Sequence, residues 1–125
     1  MAFERVCLEH ITQIKSALGI SGVQVCVNSW KCDADYDKGL QGSQIDLLIV
    51  RKDQIINVCE MKYSESDYVP DLAFDKAMRR KMSDLKKSTG TKYSIHSTLI
   101  TNYEVKETPY SGDIQSVVTG DDLFQ

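Results

Sequence analysis

The spacing of apolar residues divides the chain into predicted helices and strands. Residues 3–18 carry apolar side chains at steps of three and four, which predicts an amphipathic helix closed by Gly19. Residues 22–28 alternate between apolar and polar positions, which is typical of a strand. The stretch 31–43 is polar, acidic and interrupted by glycine, so we expect a long loop there.

The middle of the chain predicts a β-hairpin followed by a helix. Two apolar runs, 44–50 and 55–63, are separated by a short polar turn. A helix is predicted over 70–88, with Pro70 in its first turn. One face of this helix is apolar and carries Phe74, Met78, Met82 and Leu85.

The last third of the chain predicts a strand, a loop and a short final strand. These cover residues 93–103, 104–115 and 116–119, and a capped turn follows over 121–124. The order is therefore α-β-β-β-α-β with a short strand appended. A chain of 125 residues is long enough for one domain only, so residues 1–125 are predicted to form a single α/β domain.

Composition narrows the classes to which the chain can belong. Apolar residues make up 42% and charged residues 26%, as in ordinary globular domains. No apolar run approaches a membrane span, and the first residues lack a signal-peptide layout, so we expect a cytoplasmic protein without membrane contact. The net charge of −3 means that nucleic acid would have to be met through a local basic patch or metal ions. The cysteines are interpreted as reduced core residues: Cys7, Cys26, Cys32 and Cys59.

Charged residues interrupt the two apolar strands of the hairpin. Side-chain alternation puts Asp46 on the same face as Leu48 and Val50. Glu60 and Lys62 likewise share one face of the second strand. The register that keeps the apolar sets together pairs Asp46 with Glu60, with Lys62 one step further along.

This trio predicts a metal site. Two opposed carboxylates repel each other unless a divalent cation or a lysine neutralises them. Oxygen ligands suit Mg²⁺ or Mn²⁺, and such an ion could activate water beside a phosphodiester. The alternative is that Asp46, Glu60 and Lys62 form a plain cross-strand charge pair on a solvated face.

The same two stretches carry a family resemblance. The sequences GSQIDLLI at 42–49 and IINVCEMKY at 55–63 resemble the PD-(D/E)XK superfamily. More narrowly, they resemble the nuclease-like domain at the C-terminus of many bacterial and archaeal AAA-type ATPases, and the likeness extends over 3–124. The resemblance implies a restriction-endonuclease-like core, which is a central mixed sheet flanked by helices.

The resemblance also implies roles for individual residues. It assigns metal ligation to Asp46 and Glu60 and the part of catalytic lysine to Lys62. Members of the superfamily often add a glutamate from the first helix, for which Glu4 and Glu9 compete. Glu4 lies at the rim of the apolar face and is preferred, although it could instead complement the helix dipole.

Further residues are candidates for contact with substrate. Gln44 lies two residues before Asp46 on the same strand face, where it could bind a scissile phosphate or hydrogen-bond a neighbouring loop. Arg79, Arg80 and Lys81 are expected to make the outer side of the second helix basic, together with Lys86 and Lys87. Phosphate contact and an ordinary solvated helix face are both compatible with that pattern.

The combined expectation is a Mg²⁺- or Mn²⁺-dependent nuclease domain that hydrolyses DNA. The rival is a nuclease-fold module that does not cut and instead binds nucleic acid or regulates an AAA-type ATPase. A third possibility is a metal-binding domain with a different phosphoester substrate. The chain has no GxxxxGK[ST] motif, so an ATPase domain would have to come from elsewhere.

Overall fold

A five-stranded mixed sheet forms the centre of the molecule, and its five strands follow one another in the predicted order. The computed structural model describes residues 3–124. The strands are β1 (Val25–Cys32), β2 (Ser43–Arg51), β3 (Ile55–Lys62), β4 (Ser94–Thr101) and β5 (Ser116–Val118). They lie side by side in sequence order. The first three strands are antiparallel, whereas β3, β4 and β5 run parallel to one another.

Helices cover both faces of the sheet. They are α1 (Phe3–Glu9), α2 (Ile11–Ala17), α3 (Leu72–Thr89) and α4 (Gly120–Leu123), with a 3₁₀ turn at Tyr36–Lys38. On one face α1, α2 and α4 bury a core cluster: Phe3, Cys7, Ile14, Ile20, Leu47, Ile49, Cys59, Ile100, Val118 and Leu123. On the other face α3 covers a second cluster: Ile45, Leu48, Ile56, Val58, Phe74, Met78, Leu85 and Leu99. Burial of apolar side chains on both faces holds the three layers together.

The prediction of a single helix over residues 3–18 is wrong, because the helix is interrupted at His10. The backbone N–H of His10 donates to the carbonyl of Cys7 rather than to that of Val6. The imidazole Nδ1 donates to the Val6 carbonyl instead, at 2.6 Å. A side-chain bond therefore replaces one main-chain bond of the helix, and α2 begins afresh at Ile11.

The long helix α3 agrees with the prediction except at its start. Pro70 lies outside the helix, not in its first turn, because Asp71 is the N-cap. The Asp71 carboxylate accepts a hydrogen bond from the backbone N–H of Phe74 at 2.9 Å. At the other end Gly90 adopts a left-handed conformation and donates its N–H to the carbonyl of Lys86.

Residues 33–42 connect β1 to β2 and are held to α3 by one buried acid. β1 begins and ends later than the strand predicted over 22–28. Residues 31 and 32, which were predicted to begin the loop, pair with β2 instead. Asp84 of α3 is fully buried. Its carboxylate accepts from the Ser43 hydroxyl at 2.5 Å and from the Gln41 backbone N–H at 3.0 Å. These two bonds fix the entry of the chain into β2.

Two of the remaining elements also differ from the prediction. β4 is shorter than the predicted 93–103. The capped turn predicted over 121–124 is instead the short helix α4. A capping box between Thr119 and Asp122 stabilises its N-terminus. Two of the four cysteines, Cys7 and Cys59, are buried, whereas Cys26 is exposed and not a core residue. Within residues 3–124 no helix is both long and apolar enough to cross a membrane.

Candidate active site at the end of the β2–β3 hairpin

The hairpin has the predicted register near its turn. Leu48 pairs with Val58 and Val50 with Ile56. The last pair of the ladder is Leu47 with Cys59, so the pairing ends before it reaches Asp46 and Glu60.

An extra residue in β2 alters the direction of the side chains beyond that point. Asn28 of β1 pairs with Leu48, and Trp30 pairs with Ile45, so β2 advances three residues while β1 advances two. This is a β-bulge, which reverses the alternation of the residues before it. Ile45 and Leu48 consequently lie in the same core cluster under α3, although they are three residues apart. The prediction that Asp46 shares a face with Leu48 and Val50 is therefore wrong.

Asp46 lies against Glu4 of α1. The two carboxyl groups lie close enough to shift each other's pKa, and a hydrogen bond between them forms when one of them is protonated. Gln44 donates from its side-chain amide to Asp46 Oδ1 at 2.8 Å. The structure thus brings together three of the residues that the sequence singled out, and it places Glu4 rather than Glu9 beside the hairpin.

The proximity of the two carboxyl groups moves their pKa values in opposite directions. The pKa of Glu4 is raised, first by its hydrogen bond to Asp46, then by the negative charge of Asp46, by slight desolvation of this exposed group and by the charge of Glu60. The pKa of Asp46 is lowered, first by the hydrogen bond from Glu4, then by that from Gln44 and by the charge of Lys81. As the pH falls, Glu4 is therefore protonated before Asp46.

Titration of this pair is a testable consequence. The raised pKa of Glu4 stabilises the fold at low pH, and this contribution is lost as the pH rises through the folded-state value. The lowered pKa of Asp46 stabilises the fold at high pH, and this contribution is lost as the pH falls through its folded-state value. The pair should thus stabilise the fold most between the two. NMR titration of side-chain carboxyl carbons should show Glu4 losing its proton above its ordinary range.

The Asp46→Asn variant provides the check on that titration. Asparagine removes the Asp46 carboxylate, whose hydrogen bond and negative charge raise the pKa of Glu4, so the Glu4 midpoint should fall toward its ordinary value. A Glu4 midpoint that is the same in both proteins would contradict the coupling of Glu4 to Asp46.

Glu60 is held by two lysines. Its Oε2 accepts from Lys81 Nζ at 2.8 Å, and its Oε1 lies 3.7 Å from Lys62 Nζ. Lys81 and Glu60 are mostly buried, with 14% and 19% of their side chains exposed. Lys62 makes the longer contact with Glu60, and 40% of its side chain is exposed. The strong ion pair is thus made by α3 and β3, not by the predicted neighbours within the strand.

Lys81 was misassigned from the sequence. The prediction placed it on the basic outer side of the helix, whereas the structure turns it inward onto Glu60. Lys81 stands three residues after Met78 and four before Leu85, so helical periodicity places it on the buried face. The spacing could have found it, but the neighbouring arginines suggested a single basic patch.

The two arginines predicted to bind substrate lie elsewhere on α3. Arg79 is exposed and is paired with Asp75 at 2.9 Å and with Asp113 at 2.6 Å. These two acids already neutralise it. Arg80 is half-buried, and its Nε is buried with no hydrogen-bond partner. Contact of either side chain with phosphate stays a prediction.

The chain directly after Lys62 is fixed by a side chain of the neighbouring strand end. Asn102 accepts from the Ser64 backbone N–H at 2.8 Å and donates to the Ser64 carbonyl at 2.7 Å. These two hydrogen bonds fix the backbone at the position where the chain leaves β3. It therefore limits the positions that Lys62 can take.

The arrangement fits a hard divalent cation in its chemistry but is not preassembled for one. Among residues 3–124 no group of three or more His, Cys, Asp or Glu side chains is arranged to hold a metal ion. Glu4, Asp46 and Glu60 nevertheless provide oxygen donors from three elements, and the charge of Glu60 reaches Glu4. A cation bound between Glu4 and Asp46 would relieve the repulsion between their charges, as protonation of Glu4 does.

Comparison with known proteins bears on the fold. The crystal structure of AF1548, described as a protein of unknown function, matches with a TM-score of 0.57 and 14% sequence identity. The match covers 91% of this chain and 56% of the AF1548 chain. At that identity the likeness concerns the fold alone. No protein-family model matches the chain, and no curated protein matches it significantly.

Proposed function

We propose that this domain is a divalent-metal-dependent nuclease that hydrolyses phosphodiester bonds of DNA. The observation that carries the proposal is the gathering of Glu4, Asp46, Glu60 and Lys62 at one end of the β2–β3 hairpin. Charged groups cluster in this way at sites where a charged substrate or ion is handled. The β-bulge beside Asp46 supports the same conclusion, since bulges often re-aim side chains next to active sites.

Each of these side chains has a role in the proposed reaction. Glu4, Asp46 and Glu60 would hold Mg²⁺ or Mn²⁺, which supplies Lewis-acid activation of water and of the phosphate. Lys62 is exposed enough to reach a phosphate oxygen and to offset its developing negative charge. Gln44 orients the Asp46 carboxylate through its amide.

The architecture is compatible with this proposal. A mixed five-stranded sheet with helices on both faces matches the restriction-endonuclease-like core that the family resemblance implies. We propose that core as the fold family of the domain. An AAA-type ATPase, as a second domain or a separate chain, is the partner that the same resemblance suggests.

A specific observation favours the rival function, a nuclease-fold module that does not cut. Lys81 already neutralises Glu60 at 2.8 Å, and residues 3–124 hold no ready-made metal cluster. A buried lysine can take the place of a lost metal and keep the fold stable without any chemistry. The net charge of −3 also argues against a broad DNA-binding surface.

Calorimetric titration with MgCl₂ and MnCl₂, with cleavage assays on plasmid, single-stranded DNA and RNA, separates these functions. The parent should bind one of the ions, and Asp46→Asn and Glu60→Gln should each weaken binding by at least roughly tenfold. Glu9→Gln is the matched control, because Glu9 is an exposed acid at the end of α1.

The cleavage assays decide the substrate. Metal-dependent cutting of DNA that is lost in Asp46→Asn and kept in Glu9→Gln establishes the nuclease. Ion binding without cutting of any substrate, or no ion binding at all, would favour the module.

A further inference from the structure

Lys81 is the most enclosed cation of the candidate site. It projects from the buried face of α3, where Met78 and Leu85 on either side pack into the core. Only 14% of its side chain is exposed. Its ammonium group meets Glu60 Oε2 at 2.8 Å, and its charge also lowers the pKa of Asp46. Lys81 is thus close to two of the three acids at this end of the sheet.

An enclosed ammonium group requires a counter-charge. Taking a charge out of water is costly unless an opposite charge and good hydrogen bonds compensate it. Glu60 provides both for Lys81, whereas the exposed Lys62 keeps contact with solvent and lies 3.7 Å from the other oxygen. Both carboxylate oxygens of Glu60 therefore face a lysine.

This arrangement sets up a competition at Glu60. A divalent cation that uses Glu60 as a ligand needs carboxylate oxygen lone pairs, and Oε2 already accepts from Lys81. It must also approach the positive charge of Lys81, which opposes its binding. A lysine side chain is a compact charge on a flexible four-carbon stem, so it can turn aside without moving α3.

We propose that Lys81 is a positioning residue that holds Glu60 in the ion-free site and exchanges with the divalent cation. This inference rests on the proposed function, because it concerns the ion that the nuclease would use. In the ion-free protein Lys81 keeps the Glu60 carboxylate directed toward the site and prevents it from repelling Glu4 and Asp46. On ion binding the Lys81 ammonium group would leave Glu60, and the Glu60 carboxylate would then face the cation.

Titration of the full chain with MnCl₂ tests the exchange through ion affinity. Lys81→Met keeps the length of the stem but removes the charge, so Mn²⁺ should bind roughly tenfold more tightly than to the parent. Lys86→Met is the matched control on an exposed position of the same helix, and its affinity should equal that of the parent. Lys81→Arg keeps the positive charge and should not tighten binding.

A second measurement uses the parent and does not depend on the stability of any variant. The side chains of lysine are labelled with ¹³C, and MgCl₂ is added while the signals beside the ammonium groups are followed by NMR. The Lys81 signal should shift with the same saturation curve as the calorimetric binding, while that of Lys86 stays in place.

The outcomes separate this inference from the proposed function. If Lys81→Met binds Mn²⁺ more tightly and no substrate is cut, the exchange stands and the nuclease does not. If the parent cuts DNA but Lys81→Met binds Mn²⁺ no more tightly and the Lys81 signal does not respond, Lys81 is only a structural counter-ion and the inference is overturned. Absence of ion binding in both proteins overturns it as well.

Discussion

Replacement of Lys62 by methionine is expected to reduce metal-dependent DNA cleavage by about 100-fold or more. In the proposed nuclease Lys62 contacts the phosphate or the attacking water, and its charge matters most in the transition state. Its ion pair to Glu60 is long and its side chain is 40% exposed. Loss of such a pair has little effect on folding, so unfolding by urea should be nearly unchanged.

The comparison is made with Lys52→Met under single-turnover conditions. Lys52 is an exposed lysine in the turn between β2 and β3, at the opposite end of the same hairpin. Its loss should leave the cleavage rate and Mn²⁺ affinity unchanged. A Lys62→Met protein that cleaves at the parental rate would show that another group, with Lys81 as the nearest candidate, supplies the positive charge.

Replacement of Asp84 by alanine is expected to lower the free energy of unfolding by about 2–4 kcal/mol. Asp84 is fully buried in α3 and accepts hydrogen bonds from Ser43 and Gln41. Alanine leaves the Gln41 N–H and the Ser43 hydroxyl without their acceptor and opens a small cavity beneath the loop. These bonds join the helix to the start of β2, so their loss should also loosen the chain leading to Asp46.

Urea unfolding and hydrogen exchange measure the two consequences separately. Ser43→Ala removes one of the two bonds and leaves Asp84 with the other, so it should destabilise the fold less than Asp84→Ala. Exchange protection of the Gln41 amide should fall in Asp84→Ala and persist in Ser43→Ala. A change in unfolding free energy below about 0.5 kcal/mol for Asp84→Ala would mean that water satisfies both donors.

The architecture was predictable because local patterns and the global fold agree. The hairpin turn between residues 50 and 56 follows from two apolar runs with a polar turn, and the structure has that register. The inward face of α3 follows from the spacing of Phe74, Met78 and Leu85. These features depend only on burial periodicity, which a single sequence displays.

The site itself was predictable in its members and not in its geometry. Alternation from Leu48 places Asp46 beside Glu60, but a bulge at this point of β2 directs Asp46 to Glu4 instead. This bulge contains no glycine and leaves no signal in the apolar pattern. Ile45 and Leu47 are both buried, although they lie on opposite faces of the sheet.

Two further differences between the predicted and the observed structure arise from the bonding partners of single side chains. The imidazole of His10 replaces a main-chain donor and divides the first helix, although neither glycine nor proline marks the break. Lys81 occupies a core-facing position because Glu60 is available across the interface. The His10 bond competes with the backbone and leaves no mark in the apolar pattern. Periodicity places Lys81 on the inward face of α3, but it does not identify the distant Glu60 as its partner.

The extra residue in β2 links the candidate site to the anchoring of the preceding loop. Residues before the bulge are shifted by one place, so Ser43 and Ile45 face α3 while Gln44 and Asp46 face α1. Deletion of that residue would exchange the two sets, turning the Asp84 anchor and the carboxylate away from their partners together. We therefore expect length variation to be tolerated in the exposed stretch 36–39 but not within β2. The number of residues between Ser43 and Asp46 is constrained as strictly as the identities of these two residues.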